Sequence, residues 1–241
     1  MNIDTTNSPN TTEPAIGFIP CYRLPFLSLF HADCMEIMKQ YPDKYFDLAI
    51  VDPPYGIGDV FIPISTGVKP CKIERTHKVM DWDNEIPTKE YFNELKRVSK
   101  KQIIWGANYF NCFDTGGALI WYKNNGATTL SQCEIASLSF KKCVDYVFIQ
   151  QLGGFVQKDK PIHPTQKPSK LYAFILNQYA TEGMNILDTH FGSGSIALAV
   201  DNANRLEKMN LHLTACEIDK EYIDKAIKRI SESIKQGTLS F

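Results

Sequence analysis

The chain has 241 residues, 44% of them hydrophobic and 12% aromatic, enough to bury one sizeable core and to form one domain. It contains no apolar span of ~18 residues and no amino-terminal signal pattern, so the expectation is a soluble, cytoplasmic protein with no membrane partner. Seven cysteines, Cys21, Cys34, Cys71, Cys112, Cys133, Cys143 and Cys216, occur without a Cys-x-x-Cys pair, which argues for a reducing compartment and against a zinc site.

The predicted elements alternate strand and helix, the pattern of an α/β fold with a mostly parallel sheet. Residues Met1 to Pro14 are rich in Asn, Thr and Pro with little to bury, and 1–25 is expected to be a flexible tail. Phe26 to His31 is an apolar run consistent with a strand, and Cys34 to Tyr41 reads as a helix. Asp33 lies between them, at a strand end and in a helix-capping position. Pro42-Asp43 then turns the chain into Phe46 to Val51, a continuous apolar run expected to be a buried parallel strand.

Asp52-Pro53-Pro54-Tyr55 follows directly. Two consecutive prolines cannot donate to a sheet ladder, so the chain leaves the sheet here in an extended turn, at the strand edge where open α/β sheets bind ligands. An aspartate carboxylate and a carbonyl freed by proline offer two acceptors suited to both hydrogens of a planar amino group. Tyr55 adds a flat face on which a nucleobase can stack, worth ~1–3 kcal/mol.

Gly56 to Asn84 shows no periodicity and reads as a functional loop leaving the turn. Cys71, within a Pro-Cys pair in this loop, reads as incidental. Pro87 to Ser99 is a helix with Tyr91, Phe92, Leu95 and Val98 on one face and Thr88 as its cap. Gln102 to Trp105 and Gly117 to Lys123 read as strands, Glu134 to Phe140 as helix or strand, and Val144 to Gln150 as a β-run. Trp105, Asn108, Tyr109, Trp121 and Lys123, at the ends of these runs, are expected to ring a pocket or fill the core beside it.

His163-Pro164-Thr165-Gln166-Lys167-Pro168 precedes a helix from Ser169 to Tyr179, so hydroxyl, amide and ammonium donors gather at a helix amino terminus, a place suited to a carboxylate. Asn185 to Asp188 is a strand leading through Thr189-His190-Phe191-Gly192-Ser193-Gly194-Ser195 into a helix from Ile196, with glycines that allow a ligand close to the backbone. Leu211 to Ala215 is a further strand, ending at Glu217, which is placed to take ribose hydroxyls. Asp219 then caps a last helix running to about Ile234.

The net charge of −1 hides two basic stretches, four basic residues and one acid over Lys69 to Lys78 and six lysines and two acids over Lys141 to Lys170. Both suit weak, salt-sensitive phosphate contacts.

The Asp52 to Tyr55 stretch resembles the catalytic motif of the amino-methylating DNA methyltransferases, which make N6-methyladenine or N4-methylcytosine. The His163 to Pro168 hexapeptide is similar to the segment of that family near the methionine carboxylate of S-adenosylmethionine. The glycine loop follows the catalytic turn by about 140 residues, an order that resembles the circularly permuted β group.

The resemblance covers about Phe26 to Ile234. It implies a Rossmann-like S-adenosylmethionine-dependent fold of about seven strands with helices on both faces. The implied organisation is a single domain, 26–236, with a catalytic half, 26–160, and a cofactor half, 161–236. Asp52, Pro53, Pro54 and Tyr55 are the implied catalytic residues. Asp33, His163, Thr165, Gln166, Lys167, Asp188, His190, Phe191, Gly192, Ser193, Gly194, Ser195 and Glu217 are the implied cofactor-binding residues. Asp33 would reach the adenosine amino group.

Two departures stand out. His190 replaces the family's usual phenylalanine two residues before the first glycine, and only Lys142 to Ile162 is available as a recognition segment. Asp in the first motif position is typical of adenine enzymes, so methylation of adenine N6 in double-stranded DNA is expected, with cytosine N4 the alternative. Methylation of RNA adenine is a further alternative, against which stands that the related RNA enzymes usually carry Trp as the fourth motif residue. A non-catalytic cofactor-binding subunit is the rival of another class. Family members are often homodimers.

Overall fold

The computed structural model describes residues 17–56, 86–124, 131–150, 162 and 166–238. Most of the loop Gly56 to Asn84, the middle of the segment Lys142 to Ile162, and His163 and Thr165 lie outside the described residues.

The strands are β1 (Tyr22–Leu24), β2 (Leu27–His31), β3 (Phe46–Val51), β4 (Ser99–Trp105), β5 (Ala118–Tyr122), β6 (Cys133–Leu138), β7 (Val144–Phe148), β8 (Asn185–Asp188) and β9 (His212–Glu217). The helices are α1 (Cys34–Met38), α2 (Lys89–Val98), α3 (Ala107–Phe110), α4 (Ser169–Tyr179), α5 (Ser195–Glu207) and α6 (Lys220–Thr238). All nine strands form one sheet in the order β1-β2-β9-β8-β3-β4-β6-β5-β7. Its pairs are parallel except β1 with β2, β4 with β6 and β5 with β6.

Among the described residues nine strands replace the seven expected. One addition is β6, whose sequence is compatible with helix or strand; it runs antiparallel between β4 and β5. The other is β1, a three-residue edge strand inside the stretch expected as a tail. It is too short to carry a period-2 signal and forms because β2 offers it an antiparallel edge, with Tyr22 opposite Leu29.

The core follows from strand alternation. Leu48 and Ile50 of β3 point to one face and pack with α4, α5 and α6; Ala49 and Val51 point to the other and pack with α1 and α2. Each fully buried Leu or Ile contributes ~1.5–3 kcal/mol, so β3, buried on both faces, anchors the molecule. Helix α2 meets it through Tyr91, Leu95 and Val98, spaced to lie on one stripe.

The chain crosses from β3 through α2 to its neighbour β4, and from β8 through α5 to β9 on the opposite side. Because β3 and β8 are themselves adjacent, their carboxyl ends flank a topological switch point, where a crevice opens in folds of this kind.

Candidate active site

Beyond Val51 the chain enters Asp52 to Tyr55 at that switch point. The Tyr55 hydroxyl donates to Asp52 Oδ1 at 2.6 Å. Asp52 Oδ2 is paired with the ammonium of Lys167, which arrives from the amino-terminal side of α4. Lys167 Nζ also lies 3.1 Å from Glu134 Oε2 and donates to the Tyr55 hydroxyl at 3.2 Å. Lys123 Nζ approaches Glu134 Oε1 at 2.9 Å.

Both lysines are nearly inaccessible, at 4% exposure for Lys167 and 6% for Lys123. Two carboxylates and two ammonium groups thus alternate along one chain of ion pairs, Asp52, Lys167, Glu134, Lys123, and the charges balance. Burial pushes the Glu134 carboxyl up, but Lys167 and Lys123 outweigh it and hold the group below the ordinary range. Burial pulls the Lys167 ammonium down, but Asp52 and Glu134 hold it above its usual value, so it stays charged. Burial first, and the charges of Asp52 and Glu134 next, raise the Tyr55 phenol well above its ordinary value and keep its proton in place.

The Tyr55 ring is held from the β4–α3 turn. Tyr109 stacks on it, with centroids 4.9 Å apart and planes 17° off parallel, and Phe110 meets it edge-on at 5.9 Å. Gly106 in that turn has φ 73°, and a Cβ there would sit 2.3 Å from Tyr55 Cε1, so only glycine satisfies both the backbone and the ring. Of the residues expected to ring the pocket, Tyr109 and Lys123 adjoin Tyr55 or its charge network. Trp105 and Trp121 are a fully buried edge-to-face pair, 6.4 Å apart, in the core beneath. Pro53 is buried, Pro54 partly so.

Across the switch point, Asp188 ends β8. It is 2% exposed and accepts the His190 N–H at 3.0 Å. Burial is the main cause that raises its carboxyl to about 7, with the charges of Asp52 and Glu217 adding to it. His190 meets Tyr91 edge-on at 5.6 Å, and its Nδ1 is bonded to the Thr189 hydroxyl, 2.9 Å away, which in turn pairs with the Tyr91 hydroxyl at 2.7 Å. Burial lowers its imidazole to about 4, so the ring is neutral.

Phe191 turns away into the core, where it packs against Gly194. Gly194 has φ 69°, and a Cβ would lie 3.1 Å from the Phe191 ring and 3.2 Å from Ile230. The Gly192 N–H donates to Glu217 Oε2 at 2.8 Å, while Glu217 Oε1 accepts from Ile218 and Asp219 at 2.9 and 3.0 Å. Burial raises the Glu217 carboxyl despite these bonds. Arg229 of α6 secures the loop by donating to the Ser193 carbonyl at 2.9 Å and the Ser195 hydroxyl at 3.0 Å.

Asp33 is exposed and caps α1, accepting the Met35 N–H at 2.7 Å. Asp219 caps α6 as expected, through Glu221 and Tyr222. Gln166 accepts the Ile162 N–H at 3.1 Å. Lys167, expected at a cofactor carboxylate, has its ammonium turned to Asp52, Glu134 and Tyr55.

Acids therefore stand at or just beyond the carboxyl ends of four adjacent strands, Asp33 after β2, Glu217 on β9, Asp188 on β8 and Asp52 after β3. Such a row suits a ligand that is cationic and rich in hydroxyl and amino donors. S-adenosylmethionine fits that description, with its sulfonium, ammonium, ribose diol and adenine amino group. Among the described residues no group of three or more His, Cys, Asp or Glu is arranged to hold a metal ion.

Glu134 and Arg229 escaped the sequence reading. An acid inside an otherwise apolar strand was the available signal for Glu134; a helical arginine on a surface-rich helix offers none.

A family model described as a DNA methylase matches residues 104–228, just over half of the chain. Type II methyltransferase M2.DpnII of Streptococcus pneumoniae is 26% identical over 258 residues, covering 88% of this chain and 92% of that protein. Type II methyltransferase M.ScaI of Streptomyces caespitosus is 21% identical over 267 residues, covering 88% and 83%. Two solved structures share the fold. The complex of M1.HpyAVI with SAM superposes with a TM-score of 0.51 at 21% identity, over 84% of this chain and 99% of that one. The cytosine-N4-specific PvuII DNA methyltransferase superposes with a TM-score of 0.58 at 12% identity, over 92% and 95%.

Proposed function

The chain belongs to the DNA methylase family, whose reaction depends on S-adenosylmethionine, and from that premise we propose that it methylates the N6 amino group of adenine in double-stranded DNA. The observation that carries this reading is Asp52, fixed through both carboxylate oxygens at the switch point and followed by a buried Pro53 and a clamped Tyr55.

S-adenosylmethionine, when bound, supplies a methyl group on a sulfonium that is already a good leaving group. What remains for the protein is positioning. Asp52 and the Pro53 carbonyl accept the two amino hydrogens of a base rotated out of the duplex, which aims its lone pair at the methyl group. Tyr55 supports the plane of the base, and Tyr109, stacked directly on Tyr55, fixes that ring in place. Glu217 takes ribose hydroxyls and Asp33 the adenosine amino group, while Asp188 and the backbone of the loop from His190 to Ser195, with the Phe191 ring turned into the core behind it, line the cofactor side.

The exposed apolar residues Tyr122 of β5 and Val144, Tyr146 and Phe148 of β7 support association with a second copy. Among the described residues no helix is long and apolar enough to cross a membrane, and action on DNA in the cytoplasm is consistent with that.

The test is incubation with S-adenosylmethionine and unmethylated mixed-sequence DNA, followed by nucleoside mass spectrometry. N6-methyldeoxyadenosine is the expected product; N4-methyldeoxycytidine would preserve the chemistry and overturn the base. Asp52→Ala is expected to abolish turnover with cofactor affinity nearly intact, measured by calorimetry, and an equal loss of both would overturn the division of roles.

A further inference from the structure

We propose that Lys167 and Glu134 act as a positioning pair for Asp52, with Lys167 orienting the carboxylate and Glu134 keeping Lys167 in place and charged. The inference rests on the proposed reaction and extends it to residues on α4's amino-terminal flank and on β6.

An aspartate has two free torsions and must present a lone pair in one direction to steer an amine. Here Oδ1 takes the Tyr55 hydroxyl and Oδ2 the Lys167 ammonium, so neither torsion is free. Lys167 is itself confined: its Nζ lies 5.2 Å from the centre of the Trp105 ring and 5.7 Å from that of Tyr55, with three oxygens around an ammonium that has three N–H donors.

A lone lysine and aspartate removed from water can discharge each other by proton transfer, which would leave a neutral acid, one oxygen turned into an O–H donor and the other a weaker acceptor for an amino hydrogen. Glu134 prevents this by adding a second anion to Lys167, and Lys123 balances Glu134 in turn. Two other titratable groups act here. The buried Tyr172 of α4 feels the charges of Asp52 and Glu134, and Asp188 is influenced by Lys167 and Asp52 from across the switch point.

Methyl transfer by Lys167→Met, Lys167→Arg and Glu134→Gln is measured across pH, with cofactor affinity by calorimetry and folding by thermal melt. Lys167→Met is expected to lower kcat on the order of 10²-fold, the effect of a misplaced group, with cofactor affinity unchanged. Lys167→Arg should recover part of that loss. Glu134→Gln removes one anion from Lys167, so its ammonium should titrate earlier and the alkaline limb of the kcat profile should move to lower pH.

Loss of cofactor affinity with kcat spared in a folded Lys167→Met would overturn the proposal and return this lysine to the cofactor. So would an unmoved pH profile in Glu134→Gln. If Lys167→Met does not fold, the arginine and glutamine variants decide. A wild-type protein that methylates no nucleoside would instead count against the functional reading, on which the pair depends.

Discussion

Asp188 shows how one residue couples the two sides of the site. Its carboxyl is driven to about 7 mainly by burial, well above an unfolded aspartate near ~3.9. The folded state therefore holds this proton more tightly than the unfolded one, and the group costs stability above its folded pKa, a cost that fades as pH falls towards the unfolded value. Asp188→Asn is expected to raise the melting temperature at pH 8 by at least roughly 2–4 °C, the equivalent of about 1 kcal/mol for a chain of this size. The gain should vanish near pH 4, and thermal melts at the two pH values check it. A cationic ligand beside Asp188 would stabilise its ionised form and offset that cost. His190, in contrast, is neutral and spent on Thr189 and Tyr91, so its departure from the family's usual phenylalanine preserves a ring at that place while adding one bond.

At the scale of elements, the turn from β4 into α3 is the piece on which Tyr55 depends. Helix α3 is four residues long and bounded by left-handed residues at both ends, Gly106 and Asn111. Gly106→Ala would cost ~1–2 kcal/mol for its backbone conformation alone, and its new methyl would occupy the space of the Tyr55 ring. The expected outcome is a fall in kcat on the order of 10²-fold with cofactor affinity retained, because Gly106 lies on the far side of β3 from β8 and β9. Equal losses in both would place the effect in the whole fold. The run Gln102 to Trp105 made a strand legible from sequence, but not which aromatic ring the glycine after it clears room for. That depends on Tyr55, which is about fifty residues earlier in the chain.

For the whole molecule, the two halves expected from the sequence, 26–160 and 161–236, are consecutive in sequence but interleaved in the sheet. β8 and β9 of the later half are inserted between β2 and β3 of the earlier one. Each half alone would expose the flanks of fully buried strands, so residues 1–160 and 161–241 expressed separately are expected to lack cooperative unfolding transitions, whereas the full chain should unfold in one transition by two independent probes. Circular dichroism and tryptophan fluorescence during urea titration check this. Two coincident, independent transitions from the separate halves would contradict the single-domain reading.

Local pattern was sufficient to find most strands and helices, because buried faces impose their period of 2.0 or 3.6 on the residues that make them. It also located the acids at strand ends, Asp52, Asp188 and Glu217, since an apolar run that stops at a carboxylate marks an edge wherever it lies in the sheet. Tertiary structure alone decided that β8 lies against β3, so that Asp52 and Asp188 stand at the ends of adjacent strands, and that Lys167, 115 residues from Asp52, turns to that carboxylate. Backbone hydrogen bonds between strands are nearly the same for any sequence, so a strand's own residues do not name its neighbour. A buried lysine is stable only where partners from β3 and β6 surround it, and no stretch of sequence around Lys167 contains them.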